Sequence, residues 1–482
     1  MKSKLFAVIM LVSLLFAFAA PANVQAAAYG LTFTTSITYQ NVSASPATIG
    51  LTFYATQSGT GIPITRPELP SMAASSLFIG SLTELGTGFN GSAVMTSNVP
   101  VVATLVQLPP SGSTVKVRPL SNGMAEGSSY VLVPTVLKNT FNKHSMVSIQ
   151  NVDGVAADLT VTFKPVSGSN IVVPVNNLPS GSAYFVNMAT AAEITAASFN
   201  GSLTVQSVKH GTSTPGAVVV VSMELGITND EAYAFDGFTV GANKIYMPSA
   251  FCKWGAYDNV SSAFAVQNFE AAGGADAVVT VTYSNGHVDG PVTIAPGAKG
   301  SFPGCGISGT LNGVDFLGSV VIESTGGRIV AIGKVGGDGG YSTAYSGFAQ
   351  GYSKITMPYV RWSQTQYTTG SRQQVNIAIQ NVGNAEIGAG VIQIKYYDVN
   401  GLLVGTDTNP SAIPVYGKYS SNAFKLGSAG AEFGYAVAGV IGGGAVVEAP
   451  SGTALAVIGR VCTYNTSLGV AACEDYNGIP IQ

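Results

Sequence analysis

The sequence predicts an all-β protein, in which four tandem β-sandwich domains follow a cleaved signal peptide. Three observations support this fold class. A Gln-Asn pair closes a strand-like run four times along the chain, at nearly regular intervals. Apolar residues around each pair alternate with a period of two, as a strand with one buried face requires. After the N-terminal apolar run, no stretch shows a sustained helical stripe.

The first 26 residues are typical of an export signal. Lys2 and Lys4 precede an uncharged apolar run over residues 5–20, and small residues lead to a cleavage site after Ala26. An uncleaved membrane anchor is the alternative, but the run is short for a bilayer span, which needs about 20 residues. We therefore expect a mature chain without a transmembrane anchor. Its expected location is secreted, extracellular or at the cell surface.

The composition favours several folded domains with weakly charged surfaces. Charged residues make up 9% of the chain and apolar residues 46%, whereas about 25% charged residues is usual in globular proteins. A surface of Ser, Thr, Asn, Gln and Gly suits packing against neighbours or a matrix, because few charges need to be desolvated. A net charge of −3 without a basic tract argues against nucleic-acid binding, which depends on neutralising phosphates.

Two markers define the internal repeat. The Gln-Asn pairs end at Asn41, Asn151, Asn268 and Asn381. A Phe-x-Gly-Ser segment follows at the same distance in the first three copies, starting at Phe89, Phe199 and Phe316, and the fourth copy has a looser segment at 440–443. The predicted domains are residues 27–127, 128–240, 241–350 and 351–482, which we name repeats 1 to 4, after a signal peptide at 1–26.

A short strand that ends in Pro opens three of the four repeats, at residues 131–134, 245–248 and 355–358. Pro lacks the ladder donor and favours a strand end or a sheet edge. A hand-over segment with a central Gly precedes the opening strands of repeats 3 and 4, and a similar segment lies at the end of the sequence. Repeat 1 lacks an opening strand. One hypothesis is that residues 479–482 add to this vacant edge in a neighbouring molecule.

Within a repeat, the strand pattern predicts the orientation of the Gln-Asn pair. Val147 and Ile149 precede Asn151 at even spacing, so the Asn should point inward and bond the backbone of the next turn. The Gln should point outward. Asn-Gly turns such as residues 285–286 separate the alternating runs. About seven or eight strands per repeat are typical of an immunoglobulin-like or fibronectin-like sandwich.

These motifs carry a family resemblance. The Gln-Asn-Val strand end, the alternating strand, the Asn-Gly turn and the Phe-x-Gly-Ser strand resemble the tandem immunoglobulin-like repeats of secreted bacterial surface proteins. The resemblance covers nearly the whole mature chain. It implies an extracellular sandwich and no particular chemistry, so it assigns no site residues.

The four cysteines predict two disulfides. An even number of cysteines in an exported chain favours disulfide pairing. We expect Cys252 to pair with Cys305 and Cys462 with Cys473, because each pair falls within one repeat. A zinc site is the alternative, but no Cys-x-x-Cys spacing is present.

Other candidates for chemistry are sparse, and we predict no catalytic, cofactor-binding or metal-binding residue. Trp254 and Trp362 follow two opening strands and would stack on sugar rings if they were exposed; the alternative is that each indole covers one end of its sandwich or lies between repeats. Asp230, Glu231 and Asp236 form the densest acidic cluster, which would suit calcium. A solvated loop is the preferred interpretation of that cluster.

Taken together, the patterns predict a non-enzymatic structural or adhesive protein, such as a component of a surface layer, sheath, fibre or stalk. The expected partners are further copies of the chain or a cell-envelope polymer, and no cofactor is expected. The alternative is a module that binds extracellular polysaccharide or a host surface, which would require exposed aromatic side chains aligned on successive repeats. An enzyme would need converging carboxylates or a nucleophile and base, and no spacing predicts them.

Overall fold

The computed structural model describes residues 27–255, 259–305, 311, 315–337, 341–361, 371–423, 425–426, 443–465 and 470–481. In this part of the chain the regular structure is β, apart from short 3-10 turns such as Ile79–Ser81 and Thr83–Leu85. Among the helices of these residues, none is long and apolar enough to cross a membrane.

The strands follow the chain order of the repeats. Repeat 1 contains β1 (Thr34–Asn41), β2 (Ile49–Ala55), β3 (Gly61–Thr65), β4 (Ala74–Phe78), β5 (Gly91–Ser97), β6 (Val101–Leu108) and β7 (Leu120–Asn122). Repeat 2 contains β8 (Tyr130–Lys138), β9 (Lys143–Asn151), β10 (Ala157–Pro165), β11 (Ile171–Leu178), β12 (Ala183–Asn187), β13 (Phe199–Lys209), β14 (Val218–Gly226) and β15 (Ala232–Asp236).

Repeats 3 and 4 have the same order of elements. Repeat 3 contains β16 (Lys244–Cys252), β17 (Ser261–Asn268), β18 (Ala277–Tyr283), β19 (Val288–Ile294), β20 (Lys299–Pro303), β21 (Phe316–Gly326), β22 (Ile329–Gly337) and β23 (Tyr341–Ser346). Repeat 4 contains β24 (Lys354–Met357), β25 (Ser371–Asn381), β26 (Gln393–Tyr397), β27 (Leu403–Thr408), β28 (Lys418–Ser421), β29 (Gly444–Glu448), β30 (Leu455–Asn465), β31 (Val470–Asn477) and β32 (Ile479–Pro480).

Each repeat folds into two antiparallel sheets, so the prediction of four tandem β-sandwiches is confirmed. The first, which we name the opening sheet, has the orders β11-β10-β13-β8, β19-β18-β21-β16 and β27-β26-β29-β24-β32 in repeats 2 to 4, and only β3-β2-β5 in repeat 1. The second, which we name the central sheet, has the orders β4-β1-β6-β7, β12-β9-β14-β15, β20-β17-β22-β23 and β28-β25-β30-β31.

The sandwich cores are built by alternation along the strands, as the sequence predicts. In β10, Leu159, Val161 and Phe163 are buried, and the residues between them face outward. They pack against Val147 and Ile149 of β9 in the same hydrophobic cluster. Burying an aliphatic side chain contributes about 1.5–3 kcal/mol to the free energy of folding. The register of each strand is therefore fixed by which of its faces is buried in the core.

The opening strands are buried on both faces. Val131 and Val133 of β8 belong to the core of repeat 2. Leu132, between them, packs on the opposite face against Phe269 and Val330 of repeat 3. The opening strand therefore completes its own sandwich and also forms the contact with the following repeat, which explains its run of consecutive apolar residues.

The end of the chain is paired within its own repeat. Ile479 and Pro480 of β32 pair with Thr356 and Ile355 of β24. Phe238 and Phe348 form the equivalent bridges to Leu132 and Tyr246 in repeats 2 and 3. The hypothesis that this tail adds to a neighbouring molecule finds no support in this pairing, because its strand residues already complete repeat 4.

Candidate functional site

The Asn of each Gln-Asn pair points into its own sandwich and clamps the next turn. The Asn151 Nδ2 atom donates to the Val155 and Leu178 carbonyl oxygens, each at 2.9 Å. Its Oδ1 atom accepts the Asp153 N–H at 2.9 Å. The predicted inward orientation and backbone bonding are thus confirmed. The same pattern recurs at Asn41, Asn268 and Asn381.

Replacing Asn151 with Ala should lower the free energy of unfolding by about 2 kcal/mol. The substitution strands the Leu178 carbonyl inside the protein, and an unsatisfied buried polar group costs about 1–3 kcal/mol. Urea unfolding of the protein, followed by the fluorescence of its tyrosines and tryptophans, measures the change. Asn176 lies exposed on the same repeat, so Asn176→Ala is the matched control. Equal stability of the two variants would show that the clamp contributes nothing.

The Gln of each pair points the other way, into a joint between repeats. Gln267 is 0% exposed. Its Nε2 atom lies 3.1 Å from the Gly297 carbonyl oxygen of its own repeat and 3.5 Å from the Leu203 carbonyl oxygen of repeat 2. Equivalent pairs of contacts are made by Gln150, to Gly181 and to Ala93 of repeat 1, and by Gln380, to Tyr416 and to Val320 of repeat 3.

The Ser of the Phe-x-Gly-Ser marker completes the same joint from the preceding repeat. The Ser202 hydroxyl donates to the Gly297 carbonyl oxygen at 2.8 Å, which is the oxygen that the Gln267 amide also approaches. Ser92 bonds Gly181 at 2.7 Å and Ser319 bonds Tyr416 at 2.5 Å in the same way. The two sequence markers, separated by about half a repeat, therefore meet across each of these joints.

Repeats 4 and 1 meet through a different version of the joint. The strand register places Gly444, one residue beyond the segment predicted at 440–443, at the position of the marker Ser. A Cβ atom there would lie 2.5 Å from the Gln40 Nε2 atom. The Gln40 amide instead accepts the Thr356 hydroxyl through its Oε1 atom at 2.9 Å. Gln40 is buried. A residue without a side chain thus makes room for the amide that closes the four repeats into a ring.

We expect Gly444→Val to weaken this closing joint. The added side chain must displace the Gln40 amide, and overpacking of a buried contact costs about 1–3 kcal/mol. Hydrogen exchange should then become faster in β1 and β24, and the unfolding midpoint in urea should fall. Gly388, where an added Cβ meets nothing closer than 3.6 Å, provides the control Gly388→Val. Unchanged exchange in both strands would contradict the assigned closure.

At the centre of the ring, the edge strands of the four central sheets bond to their neighbours. The Asn477 side chain accepts the Ser346 N–H at 2.9 Å and donates to the Ser346 carbonyl at 2.6 Å. The bonds between the other repeats are Asn122 N–H to Asp236 Oδ1 at 3.3 Å, Asn122 Nδ2 to the Asn477 carbonyl at 3.0 Å, and Ala232 N–H to Ser342 Oγ at 2.9 Å.

Charged groups are also concentrated at the joints. Lys334 of repeat 3 lies 2.6–2.7 Å from both carboxylate oxygens of Glu224 in repeat 2. Glu474 of repeat 4 lies 3.9 Å from Arg118 of repeat 1. Burial raises the pKa of Glu474 to about 7, because desolvation disfavours the charged carboxylate more than the nearby guanidinium groups favour it. The joints therefore combine apolar packing with a few buried ionisable groups.

The acidic cluster of the sequence belongs to these joints, and its interpretation as a solvated loop was wrong for two of its members. The Asp230 carboxylate accepts the N–H groups of Lys116 and Val117 in repeat 1, at 2.7 and 3.3 Å. The Asp236 carboxylate accepts the Asn122 N–H, as described above. Among the described residues, no three His, Cys, Asp or Glu side chains converge as a metal site would require.

A groove of about 580 Å³ lies on the outside of the joint between repeats 2 and 3. The rings of Tyr130 and Phe269 meet edge to face in it, with centroids 5.5 Å apart. Arg328 lies over the Phe269 ring at 5.1 Å and forms a two-point ion pair with Glu270. The groove presents an aromatic and guanidinium surface with a wide opening to solvent.

The remaining predicted site residues take separate places. The structure joins Cys252 to Cys305 and Cys462 to Cys473, the pairing expected from the sequence. The Trp254 side chain is exposed, at 40%, and its backbone pairs with Val260. Trp362 lies outside the described residues, as do residues 440–442 of the fourth marker. The prediction that Trp254 and Trp362 stack on sugar rings therefore stays a prediction.

The hand-over segment of repeat 1 was not predicted from the sequence. Asn122 and Gly123 occupy the position that Asp236 and Gly237 take in repeat 2. Gly123 precedes Pro134 by the same 11 residues that separate Gly237 from Pro248. That spacing was visible in the sequence and would have located β7, the edge strand of the central sheet in repeat 1.

The fold and the joints define a class: an all-β protein of tandem sandwiches, joined by a Gln and Ser contact at three joints and closed into a ring by the Gln40 contact at the fourth. No protein-family model matches this chain, and no curated protein matches it. Among solved structures, the comparison gives the tetra-tandem repeat in the extending region of a large adhesion protein, at 11% identity and a TM-score of 0.11, covering 92% of this chain and 94% of that chain.

Proposed function

We propose that this protein is a non-enzymatic structural or adhesive component of the cell exterior. The observation that carries the proposal is the ring of four sandwiches, in which the Gln of each Gln-Asn pair forms a hydrogen bond across a joint. Separating two repeats would expose apolar surface, at a cost of about 25 cal/mol per Å², and break hydrogen bonds that contribute about 0.5–1.5 kcal/mol each. Such a block resists deformation, which is a property that a surface layer, sheath, fibre or stalk component needs.

Two further features support an exterior location. The two disulfides are of the kind that persists in oxidising compartments. The low fraction of charged residues, 9%, leaves a polar and weakly charged surface that packs against neighbours at a small desolvation cost. Further copies of the chain or a cell-envelope polymer are the partners that we propose for this surface.

Protease treatment of intact cells tests the proposal. Externally added proteinase should remove the protein while a cytoplasmic marker stays intact, and a strain without the protein should show a changed cell surface by electron microscopy. Thiol labelling before lysis should leave the four cysteines unmodified. A protein that is protected in intact cells, or whose cysteines are labelled there, would rule out the exterior role.

The groove between repeats 2 and 3 supports a second candidate function, the binding of polysaccharide. Tyr130 is half-buried in this groove and the Arg328 guanidinium is exposed, and such a ring and a guanidinium group are suited to stacking on sugar rings. Sedimentation with insoluble cell-wall polysaccharide should then depend on Tyr130, and Tyr130→Ala should release the protein into the soluble fraction. Phe141→Ala, at an exposed position elsewhere on repeat 2, is the control. Equal sedimentation of both variants would exclude the groove as the binding surface.

A further inference from the structure

Repeat 1 has one strand position that none of the described residues fills. In repeats 2 to 4, the strands β13, β21 and β29 each pair with an opening strand on one side. Their equivalent in repeat 1 is β5, which pairs with β2 and forms the end of its sheet. The edge of β5 therefore presents backbone N–H and C=O groups where the other repeats have a partner strand.

The surroundings of the hand-over glycines are a second observation that indicates the unfilled strand position. Side-chain atoms of the opening strand lie 2.4–2.6 Å from the position of a Cβ atom at Gly237, Gly347 and Gly478. At Gly123 of repeat 1, an added Cβ would meet only Ala103, at 3.4 Å, and the residue is exposed. The space that an opening strand occupies elsewhere is thus open beside Gly123.

The burial of residues in repeat 2, the neighbour of repeat 1, is a third observation that indicates the unfilled strand position. In repeat 3, the outward face of β17 and β22 is buried beneath the opening strand of repeat 2, at Ala265, Gln267, Val330 and Ile332. The equivalent residues of repeat 2 are only half-buried; they are Ser148, Gln150, Val219 and Val221. We name the space between this face and the edge of β5 the strand slot.

The residues that precede β1 do not lie in the strand slot. The Ala28 and Tyr29 N–H groups donate to the carbonyls of Asn229 and Gly226 in repeat 2, at 3.0 and 2.8 Å. Ala28 is buried there together with Val115. The described N-terminal segment thus runs along the hairpin between β14 and β15, away from the position that an opening strand would take.

We propose that the strand slot binds an extended segment of a separate protein, which adds to β5 as the missing opening strand. The occupant would pair with the β5 backbone, bury alternate apolar side chains in repeat 1, and bury the residue between them against Val219 and Val221. Strand addition to an open edge is a general mode of peptide recognition. The proposed site is independent of whether the protein also packs into a layer or binds polysaccharide.

The chain itself defines the chemistry of this occupant. The three strands that fill the position elsewhere have consecutive residues that are largely apolar and then a Pro: VLVP at 131–134, IYMP at 245–248 and ITMP at 355–358. All three are engaged in their own repeats, and Ile479–Pro480 is paired with β24. We therefore assign the slot to a strand of this pattern from another polypeptide, and not to a second copy of this chain.

A peptide copy of residues 128–138, with two added lysines for solubility, is the probe. Fluorescence anisotropy with the mature chain from Ala27 should show saturable 1:1 binding, with a rise in the melting temperature. Cross-linking followed by mass spectrometry should place the peptide beside residues 91–97. A peptide in which Asp replaces Val131 and Val133 should bind at least tenfold more weakly, because both side chains would enter the core of repeat 1.

A self-complemented chain serves as the control for the site. Residues 128–138, fused through a flexible Gly-Ser linker ahead of Ala27, should fill the slot and abolish peptide binding. Binding that persists in this chain, or that is equal for the Asp-substituted peptide, would overturn the proposal. The proposal would also be overturned if the chain that retains residues 1–26 did not bind the peptide, or if β5 were cross-linked to a second copy of the chain.

Discussion

Replacing Arg460 with Leu is expected to lower the free energy of unfolding by about 3–5 kcal/mol. The Arg460 guanidinium forms two bonds with the Asp475 carboxylate, at 2.7 and 2.6 Å, and both side chains are buried. It also reaches Ser249 of repeat 3 at 3.4 Å and lies over the Phe251 ring at 4.8 Å. Removing one partner leaves the other charge buried without compensation, which accounts for the expected magnitude.

Urea unfolding of three variants separates the ion pair from the packing. Arg460→Leu should be strongly destabilised, whereas the double variant with Asp475→Leu should recover much of the loss, because no unpaired charge remains. Arg328→Leu removes an exposed guanidinium that is also paired with two carboxylate oxygens, and such surface pairs contribute less than about 1 kcal/mol. Similar losses for Arg460→Leu and Arg328→Leu would show that burial at the joint has no energetic role.

The ring should become less stable as the pH rises from about 4.5 to about 7. Glu474 is 1% exposed, and neither carboxylate oxygen has a hydrogen-bond partner among the described residues. Burial raises its pKa from 4.5 to about 7, against the attraction of Arg118 and Arg361 and with a small addition from Asp475. In this interval the folded protein holds a proton that the unfolded chain releases, so stability falls with rising pH, by about 3 kcal/mol for this group.

Glu474→Gln tests the assignment, because the amide is uncharged at every pH in the interval. We expect the variant to be more stable than the parent chain at pH 8 and similar to it near pH 4.5. Urea midpoints across this range measure the difference. Glu386 is exposed in the same repeat, so Glu386→Gln should leave the pH profile of the parent chain unchanged. A Glu474→Gln profile that still falls in parallel with the parent would place the titrating group elsewhere.

The predictions from sequence were most accurate for residues whose contacts lie within their own sandwich. Alternation placed Val147 and Ile149 in the core and placed Asn151 beside them, and the structure confirms both. Each of these contacts joins residues that are close in sequence or repeated at a fixed spacing, so the pattern itself contained the information. The same holds for the two disulfides, which join cysteines of one repeat.

The contacts at the joints could not be predicted from the sequence, because they depend on how whole sandwiches pack against one another. Gln267 is polar and points outward, which by pattern alone is typical of a solvated residue. The tertiary structure covers it with the opening strand of repeat 2 and directs its amide to Gly297 and Leu203. Asp230 was misinterpreted for the same reason, since its partners are main-chain groups of another repeat.

The sequence by itself determined the four sandwiches, their strand register, the inward Asn clamp and the lack of an opening strand in repeat 1, because period-two alternation and repeated spacing are local properties of the chain. Only the tertiary structure decided that the repeats close into a ring, that Gly444 admits the Gln40 amide at the closing joint, and that the missing strand leaves an open slot. These features arise from the packing of faces between sandwiches, where the partner of the Gln side chain lies in another repeat, 57 to 64 residues away at three joints and 316 residues away at the closing joint.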